Sequence, residues 1–279
     1  MAHTCPVSAL PGAPSGWRIA TVREFVHRHY GDDGFDDAGW GCGYRSLQSI
    51  LSAYPPYRDG AAPVPSIPEI QRMLARMGAK PERFAGSREW LGGAYEVSLV
   101  VEAATSAPVR LVHAGSGREV PALLPQVLAH FEAHGAPGMI GGGADVYSKT
   151  LLGVALPPRL PLTHEHIGER EAPAGPSAYL LLADPHFFRR IGESAEAARE
   201  RALAGGWVGW KPVENLLAAS FYNFALPLPP PPGADGVARG HTDAATEGAR
   251  PNRAADPHSA ARTAVSDAAD FEIEVVESG

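Results

Sequence analysis

Apolar side chains in the first half of the chain recur at helical spacing. Residues 43–54 place them three or four positions apart, which predicts an amphipathic helix. Further helices are predicted over 67–77, about 89–104, 121–134 and 193–204. The first of these has Ser66 as its N-cap, a proline in its first turn, and Gly78 as its stop.

Apolar runs in the second half of the chain predict strands instead. They lie at 109–113, 137–140, 147–155, 178–184 and 221–226. Because the helices come first and the strands later, we expect an α+β fold with a largely antiparallel sheet.

The length and composition indicate one folded domain with an unusual tail. The chain has 279 residues, 44% of them hydrophobic, enough for one domain with a substantial core. From residue 228 onward Ala, Pro, Gly and charged residues dominate, and a segment of that kind buries too little apolar area to offset its ordering entropy. We therefore predict a partly flexible N-terminal extension over 1–25, a folded domain over 26–227, and a disordered tail over 228–279. Within the domain, the proline-rich stretch 157–177 is predicted to be an extended surface loop.

Charge and cysteine content exclude several classes of protein. The 24 Lys and Arg residues against 31 Asp and Glu give a net charge of -7, which argues against binding nucleic acid. Two cysteines cannot form a disulfide framework, and no segment has the pattern of a secretory signal or of a membrane span. We expect a cytoplasmic protein.

The first candidate for chemistry is Cys42, which lies in a glycine-rich segment just before the first predicted helix. The unpaired N–H groups and the dipole at a helix N-terminus favour a thiolate there, so Cys42 is a competent nucleophile. The flanking Gly41 and Gly43 leave room for a narrow substrate strand. The alternative is that Cys42 is a small buried apolar residue.

The second candidate is the sequence Asp184-Pro185-His186 at the end of a predicted strand. Residues two apart on a strand face the same side, so the carboxylate of Asp184 can orient the imidazole of His186 as a general base. The alternative is a strand that ends at a proline with two solvated polar residues. The same three residue types recur over 256–258, in the predicted tail, where we assign them no role.

Tyr30 is a candidate donor to an oxyanion, because a tyrosine hydroxyl can hydrogen-bond a developing negative charge. His27 and His29 are alternative bases. The His-Glu-His run at 164–166 falls in the predicted loop, where a solvated segment is favoured over a metal site, so we predict no metal.

Together these motifs resemble the ubiquitin-fold-modifier-specific proteases. The matching segments are YGDDGFDDAGWGCGYRSLQS (30–49), APGMIGGGADVYSKTLLGV (136–154), YLLLADPH (179–186), GGWVGWKPVE (205–214) and SFYNFALP (220–227). The resemblance implies a papain-like cysteine protease fold and the short, single-domain branch of the family. It aligns the nucleophile with Cys42, the base with His186, the orienting carboxylate with Asp184 and the oxyanion donor with Tyr30.

The resemblance also implies a substrate. Members of the family cleave after the C-terminal glycine of the ubiquitin-fold modifier, either maturing its precursor or releasing it from lysine side chains, and they need no cofactor. Trp40, Gly41 and Gly43 are the corresponding substrate-binding positions. The family's segment around Trp90 usually reaches its glutamate one residue sooner than Glu96, which therefore receives no role.

Two alternatives stay open. The autophagins, which process an autophagy-type modifier, share a Trp-Gly-Cys nucleophile and an Asp-Pro-His. Their nucleophile segment usually continues with a large apolar residue, whereas this chain has Gly43 there. An inactive scaffold that binds the modifier is the second alternative, although all four presumed catalytic residues are intact.

The end of the tail departs from its low-complexity pattern. Residues 270–277 alternate acids with apolar side chains, a pattern that can add as a strand to a sheet edge. The apolar positions are Phe271, Ile273, Val275 and Val276. The segment resembles the motif by which the pathway's activating enzyme binds the ubiquitin-fold modifier, and the same motif engages autophagy-type modifiers. We therefore expect a tethered second binding site; the alternatives are a strand on the enzyme's own sheet or an inert end.

Overall fold

The computed structural model of the protein describes residues 3–4, 16–22, 24–143, 146–158 and 177–232. Most of the predicted loop at 157–177 and the tail beyond residue 232 lie outside this part of the chain. Contacts divide the chain into a unit over residues 1–238 and one over 239–279, and the second lies wholly outside the described residues.

All five predicted helices are present. They are α1 (Cys42–Leu51), α2 (Ile67–Arg76), α3 (Ala94–Thr105), α4 (Val120–His134) and α5 (Ala195–Ala204). The carboxylate of Glu69 accepts hydrogen bonds from the backbone N–H and the hydroxyl of Ser66, so the start of α2 is fixed locally. Helix α3 begins five residues later than predicted, because Gly93 precedes it with φ of 114°, a conformation that ends any helical run before it.

The strands form one main antiparallel sheet. In chain order they are β1 (His3–Thr4), β2 (Arg18–Thr21), β3 (Glu24–Phe25), β4 (Val109–Ala114), β5 (Gly138–Gly142), β6 (Ser148–Leu156), β7 (Tyr179–Ala183), β8 (Val208–Pro212) and β9 (Tyr222–Pro227). The main sheet has the order β4-β9-β5-β6-β7-β8, and β2 pairs with β6; β1 and β3 form a separate pair. All of these pairings are antiparallel, which confirms the predicted α+β class.

The N-terminal boundary of the folded part differs from the prediction. Strand β2 pairs with the second half of β6, from Arg18 opposite Leu156 to Thr21 opposite Gly153, so the sheet includes residues well before position 26. The side chain of Phe25 is also buried in the core. The four residues of β2 contain only one large apolar side chain, Ile19, and no apolar alternation, so the sequence pattern did not predict a strand there.

Helices cover both faces of the sheet. Helices α1 and α3 pack on β5, β6 and β9, and α4 packs on β2 and β6. Met139 of β5 joins the buried cluster around α1 to α3, whereas its neighbour Ile140 joins the cluster around α4. Because successive residues of a strand face opposite sides, the sheet separates two cores. No helix in the described ranges is long and apolar enough to cross a membrane.

Candidate active site

The thiol of Cys42 lies at the first position of α1, a helix whose ten residues are all buried. The helix packs between β6 and α3, so its N-terminus is held fixed by the core. Cys42 itself is buried, and its sulfur forms no disulfide bond in the described part of the chain. The thiol therefore lies at a helix N-terminus whose position the core fixes.

A buried ion pair holds the segment that leads into Cys42. Arg45 on α1 donates from Nε to Asp37 Oδ2 (2.8 Å) and from Nη2 to Asp37 Oδ1 (2.9 Å) and Asp33 Oδ1 (2.7 Å). Asp37 Oδ1 also accepts a hydrogen bond from the backbone N–H of Gly31 (2.8 Å), and the carbonyl of Asp37 accepts one from Gly41 (2.8 Å). The pair therefore ties the residue after Tyr30 and the residue before Cys42 to the same helix.

Gly41 is required by close packing. A Cβ atom at this position would lie 2.1 Å from Asp37 Oδ2 and 2.6 Å from Asp37 Cβ. Asp37 is fully buried and held by Arg45, so it cannot move aside. On the other side of Cys42, a Cβ at Gly43 would lie 3.0 Å from the Cβ of Leu91, a tight but less severe contact.

His186 and Asp184 meet in a turn rather than on a strand. Strand β7 ends at Ala183, and the Asp184 carboxylate accepts hydrogen bonds from His186 Nδ1 (2.6 Å) and from the backbone N–H of His186 (3.0 Å) through the same oxygen, Oδ1. An Asp side chain that bonds the backbone two residues on is a local turn motif. The predicted pairing of the two side chains is present, but the turn produces it and not the strand alternation.

Tyr30 is brought to the same place by backbone contacts. Its N–H donates to the carbonyl of Pro185 (2.9 Å), it forms a parallel bridge with Phe188, and its ring stacks edge-on against the His186 imidazole at 5.1 Å between centroids. Among the described residues its buried hydroxyl has no well-formed hydrogen-bond partner. Burial, followed by the neighbouring Cys42, raises the pKa of Tyr30 well above its ordinary value, so the hydroxyl keeps its proton as a donor.

The electrostatics of the three groups favour an imidazolium beside the sulfur. Hydrogen bonding to Asp184 and then to Cys42 raises the pKa of His186 to about 9. Burial acts to raise the pKa of Asp184, but the hydrogen bonds and positive charges of His186 and Lys149 outweigh it and hold that pKa well below its usual range. A charged His186 flanked by Asp184 and Cys42 is the arrangement in which a cysteine acts as a nucleophile and the histidine as its acid.

Exposed aromatic side chains border this centre. The rings of Trp90 and Tyr147 lie 5.9 Å apart, and the Tyr147 ring lies 6.0 Å from that of His186. Phe188 packs against Tyr30 at 5.3 Å, and all three of the bordering aromatic residues are about half exposed. Trp40, in contrast, is buried edge-on against Tyr44, with a ring distance of 5.8 Å.

The other candidate residues have supporting contacts. His27 Nε2 donates to the carbonyl of Asp184 (2.9 Å) and His29 Nδ1 donates to that of Tyr30 (3.0 Å), so both hold the backbone of the site. Glu96 pairs with Lys80 (2.6 Å) and accepts a hydrogen bond from Gly92, just before α3. The described ranges contain no group of side chains suited to a metal ion; the His-Glu-His run at 164–166 and the tail motif at 270–277 lie outside them.

Sequence reasoning missed Lys149, whose ammonium is paired with Asp184 Oδ2. It also missed the role of the acidic residues before Cys42, because a carboxylate such as Asp37 gives no sign in the sequence that it is buried. The contacts of Lys149 with Asp184 and of Asp37 with Arg45 depend on the folded structure, and no local sequence pattern predicts them.

Comparison with known proteins identifies the family of this arrangement. The sequence model of peptidase family C78 matches residues 18–225. The chain is 37% identical over 203 residues to the Ufm1-specific protease 1 of Mus musculus, an alignment that covers 72% of this chain and 82% of the mouse protein. It is also 37% identical over 212 residues to a probable Ufm1-specific protease of Oryza sativa subsp. japonica, covering 74% of this chain and 29% of the rice protein.

A solved structure agrees with these relatives. The crystal structure of UfSP from C. elegans matches with a TM-score of 0.60 and 31% sequence identity, over 82% of this chain and 37% of the worm chain. The papain-like fold implied by the sequence resemblance is thereby confirmed. The chain spans less than two fifths of the rice and worm proteins but most of the mouse one.

Proposed function

The chain belongs to peptidase family C78, and on that premise we propose that it is a thiol protease that cleaves after the C-terminal glycine of the ubiquitin-fold modifier Ufm1. The bond cleaved is the peptide bond of the precursor or the isopeptide bond to a lysine side chain. The observation that carries this proposal is the convergence of Cys42, His186 and Asp184 in one site, in a chain whose relatives are named Ufm1-specific proteases.

The first half of the reaction follows from the positions of three residues. The Cys42 thiolate attacks the glycyl carbonyl, a C–S bond forms, and the electron pair of the carbonyl moves onto its oxygen. The Tyr30 hydroxyl donates to that oxyanion, together with the backbone N–H of Cys42. The Tyr30 hydroxyl is buried beside Cys42 without a well-formed hydrogen bond, so it is placed to donate to an oxyanion that forms at that sulfur.

The second half depends on the charge state of His186. Its raised pKa keeps the imidazole protonated at neutral pH, so it can give its proton to the leaving amine as the C–N bond breaks. The neutral imidazole then removes a proton from water, which attacks the thioester and releases the modifier and the Cys42 thiolate. Asp184 stays ionised throughout and holds the ring through Nδ1. Residues of this chain suffice for each step.

The glycines beside Cys42 border the substrate through their backbone only. Asp37 fills the space that a Cβ would take at Gly41, and Leu91 borders that space at Gly43, so the missing side chains serve packing and do not open room for the substrate. We assign Trp40 to the same site through its backbone only, because its side chain is buried.

We also propose that residues 270–277 bind modifier as a second, tethered site. The support is the sequence pattern: apolar Phe271, Ile273 and Val275 alternate with acids, as in a strand that adds to a sheet edge. Such a tether raises the local concentration of Ufm1, and of an autophagy-type modifier where it accepts one. Deleting 271–279 is expected to weaken modifier affinity and conjugate turnover while leaving cleavage of a short peptide substrate unchanged. Unchanged affinity and conjugate turnover would refute the tether.

The substrate proposal is tested by cleavage assays in parallel. Purified chain is incubated with Ufm1 carrying a C-terminal peptide extension, with Ufm1 joined to a lysine side chain, and with matched ubiquitin and autophagy-modifier substrates. We expect cleavage of the Ufm1 substrates alone, and none by the Cys42→Ser variant. Cleavage of the autophagy-modifier substrate instead would place the enzyme with the autophagins, and tight Ufm1 binding without cleavage would indicate a scaffold.

Because a thiolate nucleophile must stay reduced, we propose that the protein acts in the cytoplasm.

A further inference from the structure

The two oxygens of the Asp184 carboxylate have different partners. Oδ1 accepts both hydrogen bonds from His186, whereas Oδ2 is paired with the ammonium of Lys149. A carboxylate bonded through both oxygens has one orientation. Without the second partner, the side chain of Asp184 would be free to turn Oδ1 away from the imidazole.

The fold brings Lys149 to this position and keeps it there. Lys149 is the second residue of β6, and its neighbour Thr150 pairs with Ala183, the residue before Asp184. Its side chain is only 16% exposed and that of Asp184 only 21%, so water does not effectively replace either partner. Removing one member of an ion pair shielded to this degree leaves the other charge without compensation, which is strongly unfavourable.

We propose that Lys149 is a positioning residue of the protease: it holds the Asp184 carboxylate so that Oδ1 faces His186, and through Asp184 it sets the reactivity of Cys42. This role rests on the proposed function for its catalytic consequence. Among the described residues, the charged partner of Lys149 is the Asp184 carboxylate, and Lys149 acts through that carboxylate.

Several other charged or titratable groups surround Asp184. His186 and Tyr30 face it from the site, and His27 donates to its backbone carbonyl. Asp184 and Lys149 also line a cavity of about 260 Å³, together with a second lysine, Lys211 of β8. Only Lys149 of the two lysines is bonded to the carboxylate in the part of the chain that the structure describes.

That cavity supplies a matched control. Lys149→Met removes the ammonium that contacts Asp184, and Lys211→Met removes an ammonium from the same cavity without breaking a bond to Asp184. Lys149→Arg keeps the charge and a donor. Lys149→Gln, which keeps length and hydrogen bonding but not charge, replaces the Met variant if thermal unfolding shows that the Met variant is not folded.

The readout is the rate at which iodoacetamide alkylates Cys42 as a function of pH. Without the ammonium, Asp184 holds the His186 imidazolium beside the sulfur less firmly, and a change in the charges next to a titratable group shifts its pKa by about 1–3 units. We therefore expect Lys149→Met to move the acid limb of the alkylation profile to higher pH by about one unit, so that the rate at a fixed pH on that limb falls about tenfold, since one pH unit is a factor of ten. Lys149→Arg is expected to restore most of the rate, and Lys211→Met to match the wild type. With a Ufm1 substrate, Lys149→Met is expected to lower kcat and leave KM unchanged.

A double-mutant cycle distinguishes positioning from a merely structural role. If Lys149 acts through Asp184, Lys149→Met has no further effect on alkylation in an Asp184→Ala background. An unshifted profile in the charge-removing variant, or the same loss of rate in both backgrounds, would overturn the proposal. Because iodoacetamide reports on Cys42 whatever the substrate is, failure to cleave Ufm1 would refute the proposed function without affecting this test.

Discussion

The buried ion pair between Asp37 and Arg45 is predicted to stabilise both the fold and the segment that leads to Cys42. Asp37→Ala removes three hydrogen bonds, two from Arg45 and one from Gly31, and leaves a guanidinium in a fully buried position. Breaking a buried ion pair in this way costs about 3–5 kcal/mol. A domain of this size then unfolds at a temperature lower by roughly 6–20 °C.

Asp33 provides the comparison. It bonds the same guanidinium, but its side chain is 36% exposed where that of Asp37 is 0% exposed. Asp33→Ala leaves Arg45 with both bonds to Asp37, so we expect a loss of only about 1 kcal/mol.

The assay is urea unfolding of the wild type and the two variants, with Cys42 alkylation measured on folded protein. We expect the loss of stability from Asp37→Ala to exceed that from Asp33→Ala by at least about 2 kcal/mol. We also expect slower alkylation in the Asp37 variant, because Asp37 links the backbone of Gly31 and Gly41 to α1. Equal losses from the two variants, or an Asp37 variant as stable as the wild type, would refute the reasoning.

Three further predictions concern single groups of the site. The pKa of His186 is raised to about 9, so the pairing of His186 with Asp184 stabilises the fold fully below the ordinary pKa near 6.5. This stabilisation is lost as the pH rises through 9. In urea unfolding, the difference in the free energy of unfolding between the wild type and His186→Ala should therefore shrink from about pH 7 to about pH 10. Tyr30→Phe should lower kcat about 10²–10³-fold as an oxyanion donor is lost, without lowering the unfolding midpoint, because the hydroxyl has no well-formed partner in the free enzyme. Gly41→Ala should lower the free energy of unfolding by about 1–3 kcal/mol, measured in urea, because the added Cβ clashes with Asp37. A variant as stable as the wild type would show that the loop moves to accept the methyl group.

Local signals predicted the elements of this fold where one segment contains all the information. The capped start of α2 at Ser66 and the stop of α4 at Gly135 depend only on neighbouring residues, and both lie where expected. Strand β8 was missed because Gly209 and Pro212 dilute its apolar alternation, and it is stabilised by pairing with β7 rather than by its own pattern.

The candidate active site also combines features that the sequence predicts with features that it does not. Cys42 at a helix N-terminus and the Asp184–His186 pair are visible as separate local motifs, but Cys42 and His186, which are in contact in the fold, lie far apart in the sequence. Only the resemblance of several motifs in one order joined them beforehand. Lys149 lies on a different strand from Asp184, so its pairing follows from sheet register, which the sequence pattern does not specify.

The central claim is that Cys42 is the nucleophile for Ufm1, and covalent capture tests it most directly. Ufm1 carrying a thiol-reactive electrophile in place of its C-terminal carboxylate is incubated with the wild type and with Cys42→Ser, beside ubiquitin and an autophagy modifier carrying the same group. We predict one covalent adduct, with Ufm1 alone, mapped to Cys42 by peptide mass spectrometry and lost in the variant. Capture of another modifier in preference to Ufm1, an adduct that persists in Cys42→Ser, or no adduct at all would contradict the account.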